Sequence, residues 1–167
     1  MSSRVPAYAE SRSAAADTRH RVPYPNSKPR RIRLIGLGEG GRAIAHAAAD
    51  GLPHVALTEL PLATAAASAD AVLRETAARA GELERALSDA DMIFVTVTPG
   101  DDVAYASAIA RVARHRSVLV TGVIIDPGAG RSGVGDQHLD DLRRSCDVLV
   151  IAAAPDALTG MLAALGA

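Results

Sequence analysis

The sequence is short of aromatic side chains and of cysteine. Its 167 residues include no tryptophan, one phenylalanine and three tyrosines. Nearly half of the chain is nonetheless apolar, so Ala, Val, Leu and Ile must build the core. Cys146 is the single cysteine, which excludes a disulfide framework and a cysteine metal cluster. No apolar run reaches the ~18 residues that a membrane helix needs, and no signal peptide is visible. A cytoplasmic protein without a membrane span is expected. The histidines His20, His46, His54, His115 and His138 lack metal-ligand spacing,. No G-x-S-x-G elbow occurs, and Cys146 precedes an apolar strand, which suits a structural role. What remains is a chain long enough for one core.

Charge is unevenly spread. Residues 1–33 hold eight basic and two acidic side chains, against ten and seventeen in the remainder. The segment 1–30 is also rich in Ser, Ala and Pro and lacks apolar periodicity, so it is expected to be a disordered basic arm. A solvated tail is the simpler reading. A contact element for anionic lipid, nucleic acid or an acidic partner is the other, with nucleic acid the least expected of these. Residues 31–167 form the expected folded domain.

That domain is organised around Ile32-Arg-Leu-Ile-Gly-Leu-Gly-Glu-Gly-Gly41. The stretch reads as an apolar strand, a glycine turn and the start of a helix that runs to Asp50, with Gly51 as a left-handed cap and Pro53 beyond it. Gly36, Gly38 and Gly41 fit G-x-G-x-x-G, with Gly40 in addition. Glycine permits a sharp turn and close approach of a ligand. The unpaired N–H groups and the dipole at the helix start attract phosphate. A tight strand-to-helix turn without a ligand would use the same residues. Glu59 follows a second short strand, His54–Thr58, and stands 23 residues after Gly36. An acid at that distance accepts hydrogen bonds from the ribose of a dinucleotide, or is simply a solvated strand end.

Further along, Ser68 can cap a helix of about residues 69–80, Gly81 interrupts it, and Glu82–Leu87 forms a short helix. Asp91–Val97 is a third strand. Thr98-Pro-Gly-Asp-Asp102 leads into a helix to His115, whose Tyr105, Ile109 and Val112 face the sheet. Ser117–Ile125 has the apolar continuity of a parallel strand buried on both faces. Asp126–Gly135 is a glycine-rich loop, Leu139 and Leu142 mark a short helix, Asp147–Ala152 is a fifth strand, and a last helix follows. This alternation predicts an α/β fold: a doubly wound, Rossmann-like parallel sheet of about five strands in the order 2-1-3-4-5, with helices on both faces. The order reverses between strands 1 and 3, where ligands of such sheets bind. The loops Gly36–Gly41 and Thr98–Asp102 should wall one crevice there.

In this order the segments resemble the nucleotide-binding domain of the bacterial tubulin FtsZ. Ile32–Gly41 resembles that family's first phosphate loop. Glu82–Thr96, Val118-Leu-Val-Thr-Gly-Val-Ile-Ile-Asp-Pro127 and Leu139–Ile151 resemble its later strands and helices, so the likeness covers about residues 32–158. It implies a GTP/GDP site built from Gly36, Gly38, Glu39, Gly40, Gly41, Thr98 and Gly100, and association with itself or with a related FtsZ-type filament protein.

The chain departs from the family pattern at the second phosphate loop. The signature G-G-G-T-G-T-G is replaced by Gly100-Asp-Asp-Val-Ala-Tyr-Ala106. Asp101 and Asp102 bring carboxylates to where phosphate would lie. A like-charge pair ~4 Å apart costs about 4 kcal/mol at an effective dielectric near 20, half of the ~8 kcal/mol of micromolar binding. Three roles stand open for the two aspartates: repelling phosphate, holding a Mg2+ ion as metal ligands, or capping their own helix. The family's base-contacting Asn is missing around Ala152–Leu158, and the acidic loop that completes its hydrolysis site has no counterpart. The expectation is a degenerate phosphate loop without autonomous GTP hydrolysis. The alternative is an NAD(P)-binding Rossmann domain using Gly36, Gly38, Gly41 and Glu59.

Overall fold

A computed structural model describes residues 29–60, 74, 77–128 and 136–166. Five strands, β1 (Ile32–Gly36), β2 (Val55–Leu57), β3 (Met92–Val97), β4 (Leu119–Ile125) and β5 (Val148–Ala152), form one sheet. All are parallel, in the order β2-β1-β3-β4-β5. Between them run the helices α1 (Gly38–Ala49), α2 (Ala80–Ala86), α3 (Ala106–His115), α4 (Asp136–Ser145) and α5 (Asp156–Ala164). This is the doubly wound order that the alternation of strands and helices predicts.

The central strands carry apolar side chains on both faces because helices cover both. Ile32, Leu34, Phe94, Val123 and Ile125 face α1 and α5, where they meet Ala45, Ala48, Leu158 and Leu162. Ile35, Ile93, Val95, Val97 and Ile124 face the other layer, with Leu83 of α2, Ile109 and Val112 of α3 and Leu142 of α4. Small residues replace aromatics at the helix contacts: Ala45 and Ala48 let α1 lie close to the sheet. Tyr105, Ile109 and Val112 are all buried, as their i, i+4, i+7 spacing requires.

Several boundaries differ from the sequence reading. Gly81 lies inside α2, which starts at Ala80, and the break falls at Arg79. Nothing stands within 4 Å of the position of a Gly81 Cβ, so the glycine serves no packing contact and simply joins the helix. The stretch after Asp102 stays irregular until Ala106, so this helix starts later than expected. The expected helix of residues 69–80 falls largely outside the described residues, as do the loop 129–135 and the arm, apart from Pro29 and Arg30. Among the described residues no helix is long and apolar enough to cross a membrane.

Candidate functional site

The order reversal between β1 and β3 brings two loops together at the carboxyl ends of the strands. On one side β1 ends at Gly36, Leu37 is extended (φ −96°, ψ 135°) and α1 begins at Gly38. A Cβ on Gly36 would strike the backbone of Gly41 and Arg42, and one on Gly41 would strike the Thr96 carbonyl oxygen. Leu37 N–H donates to that same oxygen at 3.0 Å. Gly36 and Gly41 therefore let the first turn of α1 press against β1 and β3. Gly38 has φ +70°, a conformation that only glycine adopts cheaply.

On the other side, Thr98-Pro99-Gly100-Asp101 makes a turn closed by Asp101 N–H donating to the Thr98 carbonyl at 3.1 Å. Pro99 at the second place and Gly100 at the third, with φ +91°, are the residues of a type II turn. Gly100 supplies a backbone angle here. The turn sends Asp101 back toward α1. Its Oδ1 accepts from Gly40 N–H at 3.1 Å, and its Oδ2 accepts from Gly41 N–H at 2.8 Å, Thr98 N–H at 2.7 Å and the Thr98 hydroxyl at 2.8 Å. One carboxylate thus takes four donors, two of them free N–H groups of the α1 N-terminus.

The two faces that would have to stay open are filled by the same turn. The Cβ position of Gly38 lies against the Asp101 carboxylate, and that of Gly40 against the Thr98 side chain. Leu37 offers α1 no side-chain cap, so Asp101 caps it from another loop. Of the three roles left open for Asp101, capping its own helix is not the one it takes here. Asp102 does not cap α3 either: its Oδ1 accepts from Ala104 N–H at 2.8 Å in a local turn. The sequence did carry a signal for this contact. A helix opening on Leu-Gly lacks a capping side chain, and a Thr-Pro-Gly-Asp turn stands at the facing loop.

A phosphate and Asp101 would need the same N–H groups, so the residues in place do not fit a nucleotide's phosphates. Among the described residues no group of three His, Cys, Asp or Glu side chains is placed to hold a metal ion. Glu39 is exposed in the first turn of α1. Glu59 lies away from the turn, with its Oε1 3.0 Å from His46 Nε2 on α1. A cavity of about 110 Å³ beside Glu59, lined by Thr58, Leu60, Arg79 and Leu83 among others, is below the ~300 Å³ at which small-molecule pockets begin. Cys146 is packed against Gly122. Burial, and then the charge of Asp147, push its thiol up to about 11, which makes it a poor nucleophile.

No family model matches the chain. It is similar to the cell division protein FtsZ of Bartonella bacilliformis, with 27% identity over 162 residues that take in 79% of this chain and 27% of that protein. In three dimensions it superimposes on an empty FtsZ dimer of M. jannaschii with a TM-score of 0.56 and 16% identity, over 93% of this chain and 56% of that one. The chain has an FtsZ-like fold. A tryptophan-to-tyrosine variant of the M. jannaschii FtsZ matches with a TM-score of 0.55 and 19% identity, over 73% of this chain and 46% of the other. The FtsZ-like chain thus spans about a quarter of the curated relative's length and about half of each structural one. The strand order of this chain places Gly36–Gly41 and Thr98–Asp102 at the switch point of the sheet.

Proposed function

We propose that this FtsZ-like domain works through protein association and does not hydrolyse GTP on its own. The observation that carries the reading is the Asp101 carboxylate on Gly40 and Gly41 N–H, where the resemblance would put GTP or GDP. Thr98 and Gly100 are committed to the same turn, which supports the reading of a degenerate phosphate loop. A Mg2+ ion on Asp101 would have to compete for oxygens that already accept four hydrogen bonds. Asp102, tied to Ala104, would offer it one further ligand from a neighbouring turn.

The distribution of charge favours association with a second copy or with a related FtsZ-type filament protein. Glu39, Asp102 and Asp156 lie exposed toward the carboxyl ends of the strands. Arg114 and Arg116 lie toward the opposite end, at and just after the last turn of α3, beside Arg143 and Arg144 of α4, which pair with Asp140 and Asp141. Complementary ends steer molecules head to tail, with an attraction that salt screens. The alternative NAD(P) reading has less support, since Glu59 sits beside His46 and the glycine turn holds Asp101.

Two measurements on the full chain test this. Incubation with GTP and Mg2+ should release no phosphate above background. Sedimentation velocity should show association that weakens from 50 to 300 mM salt and is indifferent to GTP. Turnover of GTP, or assembly that requires it, would contradict the proposal.

A further inference from the structure

We infer that Asp101 is a built-in anion that takes the place of a nucleotide phosphate, so the glycine turn is held in its folded conformation without any ligand. The inference deepens the reading of a domain that works without GTP hydrolysis. Its basis is the convergence of donors from two loops on one side chain. Gly40 and Gly41 belong to α1, whereas Thr98 belongs to the turn after β3 that also supplies Asp101 itself. In a free helix start such N–H groups are left to water or to an anion. Here the acceptor is covalently part of the chain, at a distance of 2.7–3.1 Å from each donor. An external phosphate pays for lost translational freedom on binding, whereas Asp101 is delivered by the Pro99–Gly100 turn.

The steric arrangement supports the same assignment. Gly38 and Gly40 leave room beside the turn, and the space is taken up by the Asp101 carboxylate and the Thr98 side chain. Asp101 therefore satisfies both requirements of a phosphate in a glycine turn, the charge and the volume. Asp102 is one residue away, is exposed and accepts only the Ala104 N–H. The two neighbouring aspartates thus have different roles, and Asp102 serves as the control.

The test compares the full-length wild type with Asp101→Ala, Asp101→Asn and Asp102→Asn by thermal unfolding, with 20 mM inorganic phosphate against 20 mM chloride at matched ionic strength. Loss of a charged acceptor with several donors should lower the Tm of Asp101→Ala by about 5 °C or more. Asp101→Asn keeps the shape and one acceptor oxygen, so it remains folded if the alanine variant does not. Phosphate should raise the Tm of an Asp101 variant by about 2–4 °C and leave wild type and Asp102→Asn within 1 °C of the chloride value, a margin of about the assay's precision. An equal phosphate shift in wild type and in the Asp101 variants would overturn the inference, as would an Asp101 variant that loses stability and gains no response to phosphate. Neither result bears on GTP turnover or sedimentation of the wild type, so this inference and the proposed function can fail separately.

Discussion

At the scale of single residues, the glycines of the turn divide by what their missing Cβ makes possible. Gly41 is the most demanding, because the first atom in its way is the Thr96 carbonyl oxygen of β3, which pairs with β1 on one side and β4 on the other. That oxygen cannot swing aside as a side chain can. Gly41→Ala should therefore destabilise the chain by about 1–3 kcal/mol, the usual cost of overpacking. Gly160 within α5 is the counter-example, with open space around its Cβ position. Gly160→Ala should stabilise by about 0.5–1 kcal/mol through helix propensity alone. Urea denaturation of the two variants checks both signs. Equal effects would mean that the turn tolerates a side chain and that the close packing of α1 is not what Gly41 provides.

Residue roles were the least legible part of the sequence. The spacing of Gly36, Gly38 and Gly41 marks a strand-to-helix turn, and the structure has one. Spacing alone does not tell a glycine that admits a ligand from one that admits the chain's own carboxylate. Asp101 and Asp102 are adjacent and chemically identical, and only the turn at Pro99–Gly100 separates their roles. The direction of Asp101 depends on a contact 61 residues away, at Gly40; the uncapped helix start and the Thr-Pro-Gly-Asp turn mark its two ends in the sequence without pairing them.

At the scale of elements, apolar periodicity carried further. The strands and the α1, α3 and α5 helices follow from it because burial on one or both faces imposes a period. The start of α3 was less legible, since Asp101 and Asp102 resemble capping residues but serve other N–H groups. Pairing between the strand ends also needs ionic ties that periodicity does not report. Arg31, just before β1, donates to both carboxylate oxygens of Asp91 at 3.1 and 3.2 Å, and Arg33 donates to Asp89 at 2.7 and 3.1 Å. The Arg33 and Arg31 guanidiniums hold the Asp89 and Asp91 carboxyls, respectively, below the usual carboxylate range. A depressed carboxyl contributes stability that is present above its unfolded value of about 3.9 and disappears as pH falls through the lower folded value. Both pairs are exposed, so the contribution is small and screened by salt. Asp91→Asn should cost a little stability at pH 7 and flatten the fall of Tm below about pH 4. An unchanged acid limb in that variant would remove the Arg31–Asp91 tie from the account.

At the scale of the whole molecule, the sheet order β2-β1-β3-β4-β5 sets up the site before any side chain is considered. Right-handed crossovers place the two loops side by side at the reversal between β1 and β3. A doubly wound parallel sheet ordinarily offers that crevice to a ligand. In this chain a second-loop aspartate meets the first-loop N–H groups there, and the molecule closes on itself. The measurement that tests this most directly is a titration of the 15N-labelled full chain with GTP and Mg2+, following the amide resonances of Gly40, Gly41 and Thr98. All three should stay in place at millimolar GTP, held by the Asp101 carboxylate. Saturable movement of Gly40 and Gly41 in the wild-type protein would show that nucleotide phosphate displaces Asp101, and would contradict this closure.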